Sequence, residues 1–400
     1  MSRRTTPIDP SLGERIKVRR QMRRWSVRFT ASRAGIAHTT WSRIERGELR
    51  TDRYMIADIA AAPECSITDI TGQPYAPADR RLEVAHGNVE QVWRVMIAHP
   101  LTEPPSRMAR PVEALAQEAT LVRDLYRRCD YAEVLRRLVS LVPDLHAGQL
   151  GEDPREALAL MVPVYGVTMG ALLSLGYPTH AWLAVERCTE VAQHLEDPVA
   201  LAVAATNRGR VAAGSGAYSV ARSGCVAAAD ELEAHLAEPT ALEALGFLHL
   251  ARAGHCIGLK DVPTAEDHLT EAAAIAERTG ETTSWDLAFG PRNVALWQMA
   301  AQLDTGRPDE ALQTARGVSV ADMTPTRQVA FYLDMARGHA DTGNEDAALR
   351  MLLTAERVAP QHTRSATAAR VVARSLLDEA RRSAGGSQLR GLCERLGIAD

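Results

Sequence analysis

A glycine followed five residues later by an alanine recurs along this chain, at Gly176 and Ala181, Gly216 and Ala221, Gly306 and Ala311, and Gly343 and Ala348. A related unit sets Ala265 after LKDVPT without the glycine, and successive alanines lie 40, 44, 46 and 37 residues apart. That period belongs to a helical solenoid. Glycine takes a positive φ at no steric cost and so ends the first helix of a pair. The small alanine then lets the second helix pack closely against the first. Each pair leaves an apolar face that only the next pair can cover, so the chain is constrained to grow as a stack.

The rest of the chain agrees with this reading. After residue 78 apolar residues recur at helical spacing and alanine is abundant, which favours helix over strand. The last unit, VAFYLDMARGHADTGNEDAALRMLLTAERVAP (Val329 to Pro360), resembles a tetratricopeptide repeat. Tyr332, Met335, Ala336, His339, Gly343, Ala348, Leu352, Ala355 and Pro360 fall at that motif's spacing. Tyr126 to Leu145 reads as a divergent opening unit. Five or six helix pairs would fill 112–383, with a closing helix after Gly385–Gly386. We therefore expect a repeat domain over 112–400.

Residues 75–111 form a connector marked by Pro74, Pro77, Pro100, Pro104, Pro105 and Pro111. NVEQVWRVMIAHP inside it looks like a helix of its own, and Pro111 fits a first helical position. The connector is either a passive spacer or a transmitter between the flanking parts.

The segment WSVRFTASRAGIAHTTWSRIERG (Trp25 to Gly47) has the spacing of a helix-turn-helix. Ser26 suits an N-cap and Gly35 suits the turn. A second helix then runs from about Ala37 to Glu45. Ala37, Trp41 and Ile44 share one face, and His38, Thr39, Ser42 and Arg43 share the other. An exposed face of this kind fits the major groove, where arginine can hold guanine by two hydrogen bonds. Leu12 to Pro77, with SRIERG as its most specific piece, resembles the XRE family of λ-repressor-like DNA-binding domains. The resemblance implies a five-helix domain over 9–74. It implies base or nearby contacts from His38, Thr39, Ser42 and Arg43, and backbone phosphate contacts from Ser26, Arg28, Arg50 and Arg53. Arg19, Thr30 and Ala34 stand where the family usually buries leucine-like residues. Bulky Trp25, Phe29 and Trp41 are expected to compensate, with Val18 turned inward and Arg19 outward.

Charge divides the chain at the same place. Residues 1–58 hold 14 Arg/Lys against 6 Asp/Glu, while the remainder holds 32 against 44. A basic patch on the helix-turn-helix is the electrostatic footprint of nucleic-acid binding. The six cysteines show no CxxC spacing and read as reduced, buried residues of a cytoplasmic protein. No apolar segment near the start reads as a secretory signal. ALALMVPVYGVTMGALLSLGY (Ala157 to Tyr177) carries no charge and is long enough to span a bilayer. Pro163, Gly166, Gly170 and Ser174 favour interrupted, packed helices instead, in the core or at a subunit interface.

No phosphate loop, HExxH, GxSxG or metal-spaced Cys/His cluster is present, so neither an enzyme nor a cofactor is expected. A solenoid offers a concave groove. The order and size of the two parts resemble the RRNPP peptide-responsive regulators of bacteria. That resemblance makes Asn207, Arg210, Arg252, Asn293 and Tyr332 candidate ligand contacts. The expected protein is an all-α, homodimeric transcription regulator that binds a double-stranded DNA operator and a peptide or small-molecule signal. The alternative is a repeat-based interaction scaffold with a secondary role on DNA. A hydrolase with a site among the repeats is a third reading.

Overall fold

The computed structural model describes residues 11–49, 51–77, 79–383 and 386–398, and among these the chain is all-helical with no strand. Five short helices come first: α1 (Leu12–Met22), α2 (Val27–Arg33), α3 (His38–Glu45), α4 (Arg53–Ala61) and α5 (Ile67–Thr71). Ser11, Ser26, Asp52 and Ser66 cap α1, α2, α4 and α5 by accepting backbone N–H groups. Gly35 makes the α2–α3 turn with φ +67°.

The small core of this unit is Ile16, Ala31, Ala34, Trp41, Ile44, Ile59 and Ile70. Trp41 is fully buried and supplies the volume that Thr30 and Ala34 lack. Trp25 and Phe29 do not help in the way expected: Phe29 is 49% exposed and meets Trp25 edge-on at the surface. The expectation for Val18 is also corrected. Val18 is 52% exposed, the buried side chain of α1 is Ile16, and Arg19 pairs with Asp69 at 2.6 Å. Helical phase explains this, since Ile16 and not Val18 points at the Trp41 face.

α6 (Arg80–Ala98) follows and extends well beyond the helix foreseen in the connector. It packs on the later helices. Arg187 Nε donates to the Met96 carbonyl at 3.1 Å, and His86 Nδ1 and Tyr177 Oη lie 2.8 Å apart. The connector is thus part of the folded body. Pro111 sits one residue outside the next helix, at its N-cap, and not at the first helical position.

Six helical hairpins come next. They are α7 (Val112–Arg127) with α8 (Tyr131–Gly148), α9 (Pro154–Ser174) with α10 (Pro178–Leu195), and α11 (Pro198–Gly214) with α12 (Tyr218–Leu232). Then follow α13 (Pro239–Gly258) with α14 (Val262–Thr279), α15 (Pro291–Asp304) with α16 (Pro308–Ala315), and α17 (Pro325–Asp341) with α18 (Glu345–Val358). The recurring Gly–Ala pattern has a direct structural cause. Gly176, Gly216, Gly306 and Gly343 turn their hairpins with φ between +76° and +89°. Cys129 and Lys260 do the same work at +59° and +63°. Five residues later Ala181, Ala221, Ala265, Ala311 and Ala348 are each at most 2% exposed, buried against the partner helix.

α19 (Pro360–Ser365), α20 (Thr367–Ser383) and α21 (Ser387–Arg395) end the chain. They return it to the start of the stack. His362 Nδ1 and Tyr131 Oη are 2.6 Å apart, and Gln361 Nε2 donates to Asp130 Oδ1 at 3.4 Å. Arg364 pairs with Asp79 at 2.5 Å. The hairpins therefore form a closed ring, and one continuous apolar core runs from α6 through the early hairpins to α21.

The uncharged stretch is one unbroken helix, α9, and not an interrupted pair. Pro163 lies inside it. Proline removes a single backbone bond there, and packing on α8, α10 and α11 holds the helix together. Twelve of its residues are buried, so its apolar length serves the core of the ring.

Candidate nucleic-acid interface and enclosed cavity

α3 is built so that its two faces differ. Trp41 and Ile44 are at most 2% exposed and point into the small core. Trp41 Nε1 donates to Glu45 Oε1 at 2.6 Å, and Arg20 grips the same carboxylate with two bonds of 2.6 and 2.9 Å. Burial works to raise the Glu45 pKa, but these hydrogen bonds and the Arg20 charge hold it below the ordinary carboxylate range. Gly13 lets α1 approach α3 closely: a Cβ at Gly13 would lie 2.6 Å from the carbonyl oxygens of Ile44 and Glu45.

On the opposite face His38, Thr39 and Arg43 are exposed and Ser42 is half-buried. α3 packs chiefly on α1 and α2. Ser26 and Arg28 are exposed beside it. Neither Arg28 nor Arg43 makes an ion pair among the described residues. Arg50 lies outside the described residues.

Arg53 is placed differently from its expected role on phosphate. It begins α4, the helix that seats the N-terminal unit on the ring. Its Nη2 meets Asp304 Oδ2 at 2.5 Å, and Asp304 also takes Arg337 Nη1 at 2.6 Å. Beside Arg53, Tyr54 Oη donates to the Gly254 carbonyl at 3.0 Å and Tyr54 stacks near Tyr218. Lys260 reaches Asp58 at 3.1 Å. Asp334 faces the same cluster, and burial first, then the Asp304 charge, push its carboxyl up to about 7.

Beneath α4 and α5 lies a cavity of about 840 Å³ at the centre of the ring. The first helices of the hairpins line it, as do the loop at 283–288 and the C-terminal return. Arg53, Tyr54, Ile56, Ile67, Thr71 and Gln73 of the N-terminal part form its roof. Over half of the Arg53 side-chain surface is open, but it opens to this cavity.

Of the proposed ligand contacts, Asn207 and Arg210 line the cavity. Arg252, Asn293 and Tyr332 do not. Arg252 sits on α13 near the His249–His268 pair, with its Nε buried and unpartnered. Asn293 is wholly buried in α15, and both of its side-chain polar atoms lack a hydrogen-bond partner. Tyr332 packs edge-on to Phe331.

Sequence reasoning missed Arg327, Tyr126, His362, Trp285 and Trp297 as wall residues. Arg327 had an available signal. It lies near the start of α17, the first helix of the clearest repeat, and first helices line the groove. Tyr126 likewise lies at the end of α7, the first helix of the first hairpin, whereas His362 is brought in only by ring closure, which no local pattern encodes. No family model matches the chain, and no curated protein does.

Proposed function

We propose that this chain is a cytoplasmic transcription regulator in which a λ-repressor-like helix-turn-helix unit reads operator DNA and a tetratricopeptide-like repeat domain senses a signal. The observation that carries this is α3. Its apolar side is anchored by Trp41 and Ile44, while His38, Thr39 and Arg43 stand open on the other side. A helix held rigidly from beneath, with unpaired arginine at its surface, suits insertion in a major groove. The excess of basic residues before residue 58 supplies the attraction to phosphate.

The sensing half of the proposal rests on the cavity and its roof. α4 and α5 belong to the DNA-reading unit and also wall the cavity. A ligand that favours one seating of the roof would shift the orientation of α3 between two copies of the chain. Two copies would present recognition helices roughly 34 Å apart, one turn of the duplex.

The test is selection of bound sequences from a random duplex pool by the purified full chain, followed by gel shift on the winner. A palindromic or paired half-site bound as a dimer is the expected result. A sample that retains no duplex at low salt overturns the reading.

A further inference from the structure

The cavity walls carry an unbalanced charge. Arg53, Arg127, Arg210 and Arg327 line it, and among the described residues no aspartate or glutamate does. Arg53 and Arg127 have carboxylate partners, Asp304 and Asp124. Arg210 and Arg327 have no ion-pair or hydrogen-bonded side-chain partner among the described residues. Both face the same cavity. Burial first, then the Arg210 charge, bring the Arg327 guanidinium down to about 10. Two like charges facing one cavity repel each other, and an anion between them would relieve that. His255 is an unpartnered polar group of the same wall; burial brings its imidazole down to about 4, so it is neutral. It lines the cavity, is only 4% exposed, and its Nδ1 has no partner.

The remaining wall is apolar and aromatic. Tyr54, Tyr126, Tyr218, Phe247, Trp285 and Trp297 all line it, in a chain with only 4 Phe, 6 Trp and 8 Tyr. The Arg327 guanidinium lies 6.0 Å from the Phe247 ring centroid, so the charged end of the site borders its aromatic wall. A volume of about 840 Å³ is that of a site for a small organic molecule.

We propose that this cavity binds a small organic anion with an apolar or aromatic body, its acidic group held by Arg210 and Arg327 and its body packed under the roof formed by α4 and α5. This rests on the sensing role proposed above and names the ligand's chemistry. Planar guanidinium forks suit a carboxylate, sulfonate or phosphate, since each can accept two parallel hydrogen bonds. The roof residues make the site incomplete without the N-terminal unit, so occupancy and the seating of that unit are linked.

The test compares two dyes of one shape on the full chain: 1-anilinonaphthalene-8-sulfonate and its neutral counterpart N-phenyl-1-naphthylamine. Fluorescence titration is expected to show saturable binding of the sulfonate at one site, roughly tenfold or more tighter than the neutral dye. Arg210→Gln and Arg327→Gln should each weaken the sulfonate roughly tenfold and leave the neutral dye within about twofold. The unliganded Arg327→Gln variant should melt no lower than the parent, because it loses a half-buried charge with no carboxylate partner among the described residues. If that variant does not fold, Arg210→Gln, on the more open guanidinium, gives the same readout. Equal affinity for the two dyes, or a sulfonate preference that survives in the folded variants, overturns the proposal. Neither arm contains DNA, so failure here leaves the operator-binding reading standing, and failure of the duplex selection leaves this one standing.

Discussion

Arg53, at the first turn of α4, and Asp304, at the last residue of α15, meet at 2.5 Å across the junction between the N-terminal unit and the ring. Asp304 is 1% exposed and is shared with Arg337 at 2.6 Å. A carboxylate bridging two guanidiniums in a buried place is well satisfied only while both remain. The contact therefore ties the seating of the roof to the packing of α15 against α17.

Asp304→Asn should cost the chain roughly 3–5 kcal/mol, because it leaves two guanidiniums beside each other without their shared carboxylate. Asp334 is close by and would ionise in its place, trimming the loss. Thermal unfolding should show the drop. Limited proteolysis should show earlier cleavage within residues 51–77, where the roof joins the ring. An unchanged cleavage pattern would mean that α4 is held by its apolar and tyrosine contacts alone.

Asp334 itself predicts a pH dependence. Asp304 on α15, Arg53 on α4 and Arg337 on its own helix face it, and its carboxyl is raised to about 7 in the folded chain. A carboxyl raised on folding binds protons more tightly in the native state. Its contribution is fully present below about pH 4 and is lost as the pH rises through about 7. Asp334→Asn mimics the protonated form. It should match the parent at about pH 3.5 and exceed it increasingly above that, by roughly 3–4 kcal/mol at pH 8. Denaturant unfolding of both chains at the two pH values checks the sign.

Arg43→Ala should cost about 1–3 kcal/mol on the selected operator and little on random duplex, relaxing base preference. Arg53→Gln separates two roles. As a phosphate contact it would lower the salt slope by about one. As a junction residue, the role its partner Asp304 supports, it should leave the slope unchanged and speed cleavage of residues 51–77. Gel shifts over a salt series distinguish these outcomes.

Gly13→Ala should disable the N-terminal unit alone. The new methyl would lie 2.6 Å from the Ile44 and Glu45 carbonyl oxygens, which belong to the backbone of α3 and cannot swing away. Overpacking of this kind costs roughly 1–3 kcal/mol, a large share of what a five-helix unit has. Operator binding should fall while the main thermal transition of the ring is retained. Loss of both transitions together would show that the two parts fold as one.

The parts of this fold that were legible in the sequence are those with short-range causes. Ser26 caps a helix and Gly35 turns one because of what their own backbones permit. The Gly–Ala spacing marks each hairpin because a left-handed turn and a close helix contact lie five residues apart. Even the α13–α14 hairpin, which lacks the glycine, was traceable, since Ala265 remains and Lys260 takes the strained turn. What was not legible depended on distant partners. Nothing around Arg53 announces Asp304, and its position at the start of α4 suits a phosphate as well as a carboxylate. The wall position of His362 follows only from its bond to Tyr131. Asn207 and Arg210 were found because they share the concave face of α11, whereas Arg252, Asn293 and Tyr332 were chosen by residue type and point elsewhere.

The bond between Tyr131 and His362 changes the mechanics of everything between them. An open stack of repeats behaves as a spring, in which one end can stretch or fray while the other stays still. Fastening its ends makes a hoop of fixed circumference. Widening at any one hairpin must then be taken up by the others or by the lid resting on top, and a chain cut short before residue 360 would lose the hoop rather than just its last turn.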